Sequence, residues 1–454
     1  MAHADPLGRL TTPERIGLVA LAAVALVFGA ETLRRSAFME RRMTDAEVFF
    51  RAGWAVRAGA DIYEVTDTNG WHYLYPSIFS VVMAPLAVPP AGEAMGWTLP
   101  YAAAVGVWYL ISLGLLVLAL HWMAQAIEES GAGWGRGPPR TGSRAWWTLR
   151  VWPLLACLVA VGATLSRGQV AIILLALLAR MTLEAVRGRG GRAGVWLAGA
   201  IALKVIPAFV LVVPGLRRDW RWLAGCGAGL VVLLVVLPAL VFGPTRTMEY
   251  HAKWVDVMFR PALAAGATPA DKSRWEEIHS FRRIDNQSPL SVMHHAAWAG
   301  TPLAERPERP ARWTQVAHLG LVGVMTLTTA LAAGFRFGRL RAEWAAKSTP
   351  LVVGAFVCVM LAATPVCQPD YFTLAIPAVA ALIGASMARR SDAGISPASM
   401  ACIGLYVLAN LLPKFNGLEA LKMYGMATAA NIGLWALCVR ELWRGTEFEI
   451  ANGK

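Results

Sequence analysis

Long apolar runs, separated by short polar or basic breaks, recur along nearly all of the 454-residue chain. A helix needs about 20 mostly apolar residues to cross the ~30 Å hydrocarbon layer of a bilayer. About ten runs satisfy this: 16–34, 97–125, 146–165, 168–186, 221–242, 312–335, 349–366, 371–387, 397–412 and 424–442. Two stretches do not fit the simple pattern. Pro76–Val88 is short and interrupted by Pro85, which predicts a segment lying on the membrane surface; Ala193–Pro214 is broken by Lys204 and Pro207, which predicts a broken hairpin of two half-spans. The pattern therefore predicts an all-α, polytopic integral membrane protein with about 10–12 membrane segments and outer amphipathic helices. Residues 1–454 read as a single membrane domain with two excursions, 36–96 and 243–311.

Composition removes the soluble alternative. The chain is 56% hydrophobic and 16% charged, with a mean hydropathy of +0.49, too little polar surface for a soluble domain of this size. The first run follows Arg9 and Arg15 and ends in Glu31-Thr32-Leu33-Arg34-Arg35 rather than in small residues. A retained first span is expected there, not a cleaved leader. The net charge of +13 would suggest nucleic acid in a soluble protein. Here the positive residues fall between apolar runs, so they read as topology determinants and headgroup contacts, and no nucleic-acid partner is expected.

The same charges assign sides. Basic residues at 136–144, 187–192, 217–221, 336–347, 389–390 and from Arg440 onward fit one face, and the Gly- and Arg-rich stretch 131–142 reads as a flexible loop. The opposite, outer face of the cell membrane receives 36–96, the turn 166–169, the break at Lys204, the loop 243–311 and the turn 368–370. Function is expected on that face. The six cysteines form no CxxC pair and read as small buried hydrophobes; only Cys367, beside Gln368-Pro369-Asp370, is placed to face outward.

Few polar residues resist a structural explanation. Asp45 opens an amphipathic stretch with Thr44 as a capping residue and Phe49, Phe50 and Trp54 on its apolar side; a helix-start carboxylate explains it equally well. Glu47 has Arg51 four residues on, so a surface ion pair accounts for it. Arg167, in the turn Leu165-Ser166-Arg167-Gly168-Gln169, either snorkels to headgroups or serves a site. Lys204 is harder to dismiss, because an ionisable group at depth costs several kcal/mol unless paired or wetted; a phosphate is the partner to expect. Arg282, Arg283, Asp285, His294 and His295 sit in the long loop, where adjacent histidines lack metal-ligand spacing and the arginine pair is equally compatible with a solvated segment. No nucleotide-binding glycine pattern and no nucleophile elbow is present.

Taken in order, Asp45 with FFRAGWAVRAGADIYE, then YPS and APLAVPP, SRGQVAIILLALL, GAIALKVIPAFVLVVPGLRRDWRW, DNQSPLSV and TPVCQPDYFTLAIP resemble glycosyltransferase family 87 (DUF2029-type) of the GT-C superfamily. The likeness extends from about residue 40 to 380. It implies a GT-C-like helical bundle and a polyprenyl-phosphate-mannose-dependent mannosyltransferase-like activity. Two departures, Tyr75-Pro76-Ser77 in place of Tyr-Pro-Pro and Gly168-Gln169-Val170-Ala171 in place of Gly-Gln followed by Asn, bear on the sugar or acceptor.

The resemblance implies that Asp45 is the general base. A sugar phosphate already carries a good leaving group, so an inverting displacement needs a base for the acceptor hydroxyl and cations for the departing phosphate. Lys204, Arg167 and one of Arg282 or Arg283 are the expected cradle, with His294 or His295 adding to it. Gln169, Tyr75, Asp370 and Tyr371, within the matching stretches, complete the expected substrate- and phosphate-binding set. No metal or cofactor is expected. The expected partners are the lipid bilayer, the polyprenyl-phosphate sugar and an acceptor glycan, lipid or protein. The amphipathic pieces 44–58 and 76–88 are expected at headgroup level. A transporter or flippase for an anionic lipid or sugar phosphate is the alternative, since a broken helix with a lysine also marks a midplane site; a non-catalytic subunit would hold Asp45 and Lys204 far apart.

Overall fold

The computed structural model describes residues 10–39, 42, 44–93, 96–131, 138–258, 277, 281–334, 342–389 and 395–451. Arg9, Arg136, the basic stretch 336–341 and Arg390 lie outside them, as does half of the Gly- and Arg-rich segment 131–142. Among the described residues the chain is helical with one isolated β-bridge, Thr66 to His72. Each expected span corresponds to helix: α1 (Thr12–Ala37), α4 (Tyr101–Glu129), α5 (Arg144–Ala156) continued by α6 (Leu158–Arg167), α7 (Ala171–Val186) and α10 (Trp220–Val231) continued to Phe242 by α11 (Leu237–Phe242). Further on come α14 (Arg312–Ala332), α15 (Ala342–Ala363), α16 (Ile376–Arg389), α17 (Pro397–Leu411) and α18 (Met426–Ala451). Six of the described helices are long and apolar enough to cross a membrane, or seven if the pair α5 and α6, bent by 66°, counts as one span. The shortfall against ten has a physical cause. α7 and α17 have only 16 and 15 residues, about 24 Å and 22 Å of helix.

The intervening pieces are α2 (Ala46–Ala58), α3 (Ser77–Met83), α8 (Gly190–Leu203), α9 (Val212–Arg217), α12 (Pro244–Met258) and α13 (Pro289–Ala297). Local chemistry sets several boundaries. Ser143, Asp219, Ser288 and Ser396 each accept a hydrogen bond from a backbone N–H in the first turn of the helix they precede, satisfying an otherwise orphan donor. Pro153 inside α5 removes a helix hydrogen bond and accompanies the bend into α6.

The hydrophobic windows of α15 and the span 369–388 are 78% and 83% buried, those of α1 and the span 220–242 only 6% and 11%. The first pair forms the bundle's centre, and the second presents its sides to lipid. α8 and α10 approach so closely that a Cβ on Gly194 or Gly225 would overlap the backbone of the facing helix, the small-residue packing that brings membrane helices together without a hydrophobic drive. The hairpin expected at 193–214 is indeed broken: α8 stops at Leu203, Lys204 is extended (φ −154°, ψ 124°), and a 3-10 turn Ile206–Leu211 leads into α9.

The two pieces expected at headgroup level pack against each other. Phe49 and Phe50 on α2 are buried; Phe49 meets Phe79 of α3 edge-on at 5.0 Å and Tyr75 at 5.1 Å. Gly53 lies against the carbonyl of Met83, leaving no room for a side chain. The buried faces of the two pieces meet each other, and Val82 of α3 stays exposed. α12 closes over this unit: Arg246 and Tyr250 donate to the carbonyl of Ala60, and Lys253 pairs with Asp61 and Glu64 at 2.7 and 2.6 Å.

Candidate active site

Asp45 occupies the cap position of α2, yet its carboxylate caps nothing. Thr44 does that work, its Oγ1 accepting from the Ala46 N–H at 3.2 Å. The Asp45 side chain, a third exposed, turns toward the 166–169 turn: Gln169 Nε2 donates to its Oδ2 at 2.5 Å and Arg167 Nε stands 3.7 Å from the same oxygen. A carboxylate kept only for the helix dipole has no reason to face away from its own backbone. Two bonds lock the arrangement from behind, the Asp45 N–H and the Thr44 hydroxyl both donating to the Arg167 carbonyl at 2.7 Å.

The turn that faces Asp45 exists because residue 168 is glycine. Gly168 ends α6 with φ +69°, in the left-handed region where a side chain is strained. A Cβ there would also sit 2.6 Å from the Ala46 Cβ and 3.0 Å from Thr44 Oγ1. The Gly168 carbonyl accepts from Trp108 Nε1 at 2.9 Å, fixing the turn to α4. Gln169 Oε1 accepts from the Tyr75 hydroxyl at 3.2 Å, so Tyr75 and Asp45 are joined through one amide. Burial raises the Tyr75 pKa well above its ordinary value, keeping that hydroxyl a donor.

Lys204 enters from the break after α8. Its ammonium lies 4.0 Å from the centre of the Tyr371 ring and 5.6 Å from that of Tyr75, a cation held over two aromatic faces. Among the described residues no carboxylate is within 4 Å of it. Asp370, next to Tyr371, is 1% exposed and has Arg167 Nη1 at 3.7 Å from its Oδ1. Arg167 thus stands between two carboxylates, touching neither closely, while its Nη1 donates to Gln368 Oε1 at 2.8 Å.

The DNQS stretch acts on this site from behind. Asn286 Oδ1 accepts from the Cys367 N–H at 3.0 Å, the Gln287 N–H donates to the Cys367 carbonyl at 2.8 Å, and Ser288 Oγ donates to the Pro365 carbonyl at 2.7 Å. Gln287 in turn accepts from Thr428 of α18. Together these bonds hold the 365–370 turn, and with it Gln368 and Asp370, in place. Cys367, expected to face outward, is buried by the same contacts.

The structure therefore brings together Asp45, Tyr75, Arg167, Gln169, Lys204, Asp370 and Tyr371. Arg283 stacks over Trp71 at 4.5 Å, and burial followed by the repulsion of Arg167 lowers its pKa, which places it within the field of the site. Arg282 is turned away: Nε donates to the Arg306 carbonyl at 2.7 Å and Nη1 stands 3.5 Å from Glu308. The histidines are directed elsewhere too. His294 is fully buried against Phe281, and His295 Nδ1 meets Arg306 Nη1 at 2.7 Å. Burial and Arg306 lower the His295 pKa to about 4, so at neutral pH it adds no charge to a cradle.

Two features escaped the sequence reading. Glu47 is not a surface partner of Arg51. It is fully buried, with Arg42 and Arg51 each at 2.7 Å and the Thr68 hydroxyl donating at 2.6 Å, so it ties the start of α2 to the 66–72 turn. The connection 412–425 between α17 and α18 also returns to this end, where Lys422 pairs with Asp285 at 2.8 Å and Lys414 lies within the field of Arg167 and Asp285. Counting the spans on either side of that connection would have placed it opposite the basic loops.

The family model of glycosyltransferase family 87 matches residues 73–369, about two thirds of the chain. The chain belongs to that family. It is thus a membrane glycosyltransferase, and the transporter alternative gives way. The matched stretch of this family 87 enzyme includes Tyr75, Arg167, Gln169 and Lys204 but begins after Asp45 and stops one residue before Asp370, so those two carboxylates stand on geometry. Two solved structures of ArnT from Cupriavidus metallidurans, one bound to undecaprenyl phosphate and one in the apo state, align with it over 94% and 95% of this chain and 77% and 78% of theirs. Their identity is 15% in each case, with TM-scores of 0.40 and 0.42. No curated protein matches the chain.

Proposed function

We propose that the enzyme transfers a hexose, mannose first among the candidates, from a polyprenyl-phosphate donor to a lipid, glycan or protein acceptor on the outer face of the cell membrane. The observation that carries this reading is the pairing of a carboxylate free of capping duty with two cations that no carboxylate closely neutralises. Asp45 is a third exposed, Arg167 stands off both Asp45 and Asp370, and the Lys204 ammonium lies over two aromatic rings with, among the described residues, no carboxylate within 4 Å. A donor whose phosphate sits at the membrane boundary meets these cations at the break of α8, and its polyprenyl chain remains in the bilayer.

In this reading Asp45 takes the proton from the acceptor hydroxyl as the acceptor oxygen bonds to the anomeric carbon. The bond from that carbon to the phosphate oxygen breaks, and the electron pair leaves with the polyprenyl phosphate. Attack opposite the leaving group inverts the anomeric configuration. Arg167 and Lys204, with Arg283 nearby, stabilise the charge that develops on the phosphate in a site of low dielectric. Gln169 orients the base through its bond to Asp45 Oδ2, and Tyr75 fixes Gln169. The outer-face assignment is supported by the charge asymmetry of the connecting loops.

Purified enzyme assayed against a panel of polyprenyl-phosphate hexoses tests the donor, and Asp45→Asn tests the base. The variant is expected to lose about 10²- to 10⁴-fold in kcat, the range for removal of a general base, with its thermal midpoint unchanged. Transfer by Asp45→Asn at the wild-type rate would remove Asp45 from the chemistry.

A further inference from the structure

Within the expected substrate- and phosphate-binding set, Asp370 is suited to the substrate's hydroxyls, because a carboxylate repels a phosphate. Its surroundings define that task. The side chain is buried and its Oδ1 has no hydrogen-bond partner. Among the described residues no donor completes it. Arg167 Nη1 stops at 3.7 Å from that oxygen and donates to Gln368. The Thr164 hydroxyl is 3.1 Å from the backbone carbonyl of Asp370 and 2.8 Å from the Thr373 hydroxyl, so it fixes the turn without reaching the carboxylate. Tyr75 donates to Gln169. A buried carboxylate oxygen without a hydrogen bond is unfavourable, and such groups are rarely left incomplete in a native protein.

We propose that Asp370 accepts a hydrogen bond from the donor sugar's hydroxyl adjacent to the anomeric carbon, the C2 hydroxyl of a hexose, and thereby selects sugars that carry it. The inference rests on the donor reading given above. With the phosphate on Arg167 and Lys204, the anomeric carbon is one oxygen away from phosphorus and the C2 hydroxyl one carbon further. Asp45 and Asp370 each lie 3.7 Å from the Arg167 guanidinium, so one carboxylate meets the incoming acceptor hydroxyl while the other meets the hydroxyl beside the reacting carbon. Arg167 and Lys204 supply positive charge for the single negative charge of a phosphodiester. Polar pockets built this way discriminate strongly against an analogue that lacks the hydroxyl, since the carboxylate is then left unpaired.

The test is a two-by-two comparison of kcat/KM, wild type and Asp370→Ala, each with polyprenyl-phosphate mannose and its 2-deoxy analogue; if another hexose proves to be the donor, its 2-deoxy analogue is used. The ratio of the two ratios cancels the intrinsic reactivity of the deoxy sugar. Wild type is expected to favour the parent donor about 10- to 100-fold more than Asp370→Ala does, the worth of one hydrogen bond to a charged group. Asp370→Asn keeps the shape with a neutral acceptor and is expected to fall between; it carries the test should the alanine variant not fold. Equal slowing of both donors in the variants would overturn the proposal and leave Asp370 as a positioning residue for Arg167. Failure of wild type to use any polyprenyl-phosphate hexose would overturn the donor reading and this inference with it, whereas transfer with a ratio of one overturns the inference alone.

Discussion

α4 connects two regions that treat charge in opposite ways. Near its C-terminus, Glu128 is held by Arg150 at 2.7 Å, Glu129 by Arg187 at 2.6 Å, and Glu184 on the adjacent α7 by Arg180 at 2.5 Å. Near its N-terminus, Trp108 holds the turn bearing Arg167, whose distances to Asp45 and Asp370 are both 3.7 Å, and Lys204 has no carboxylate within 4 Å among the described residues. Trp108 and Glu128 are 20 residues apart, ~30 Å along the helix, one hydrocarbon thickness. Closed pairs neutralise each other and fix helices. Charges held apart by an amide, a glycine turn and aromatic rings remain available to a ligand. Glu47 shows that the distinction belongs to residues and not merely to ends: two positions from Asp45, it is closed by Arg42, Arg51 and Thr68.

Three substitutions press on this contrast. Lys204→Met removes a cation that, among the described residues, has no carboxylate within 4 Å, so kcat/KM is expected to fall about 10²- to 10³-fold with little loss of thermal stability. A loss under fivefold in transfer assays would mean that the open charges are not used. Arg150→Ala should do the reverse. It leaves Glu128, whose side chain is 11% exposed, without its bidentate partner, and breaking such a pair costs about 3 kcal/mol or more. The thermal midpoint in detergent is expected to fall while the folded fraction keeps wild-type kcat; reduced activity per folded molecule would erase the division of labour. Gly168→Ala is expected to slow kcat about tenfold, less than Lys204→Met. The added Cβ meets Ala46 and Thr44, which must shift Asp45 relative to Arg167, and misplacement near 1 Å slows reactions substantially. Unchanged kinetics in that variant would show that the standoff distance is not what the turn protects.

Much of the fold was legible because membrane spans obey a one-dimensional rule. Hydrophobic length places each helix, and every expected span corresponds to helix, including the break at Lys204, which a proline and a buried cation announce in the sequence. The sequence also carried most of the site. Asp45, Arg167 and Lys204 were singled out as polar residues that hydrophobicity alone does not explain, and they converge. Arg282, His294 and His295 were not separable from Arg283 by sequence. All occupy one polar loop, and only the packing of Phe281, Arg306 and Glu308 directs them inward or sideways.

Hydropathy and charge by themselves determined that this chain is a multi-pass membrane protein, and the ordered motifs indicated its family, because each of these is written in local composition and order. Tertiary structure alone decided which polar groups are consumed and which are left open. Glu47 and Asp45 are two residues apart with the same chemistry, yet one is neutralised by contacts from residues 42, 51 and 68 while the other is turned by an amide 124 positions away toward an arginine that stays at a distance. Local partners at 42 and 51 act on Glu47, but the placement of Asp45 is fixed by residues more than 120 positions away, and distance determines whether a charge stabilises the fold or awaits a substrate.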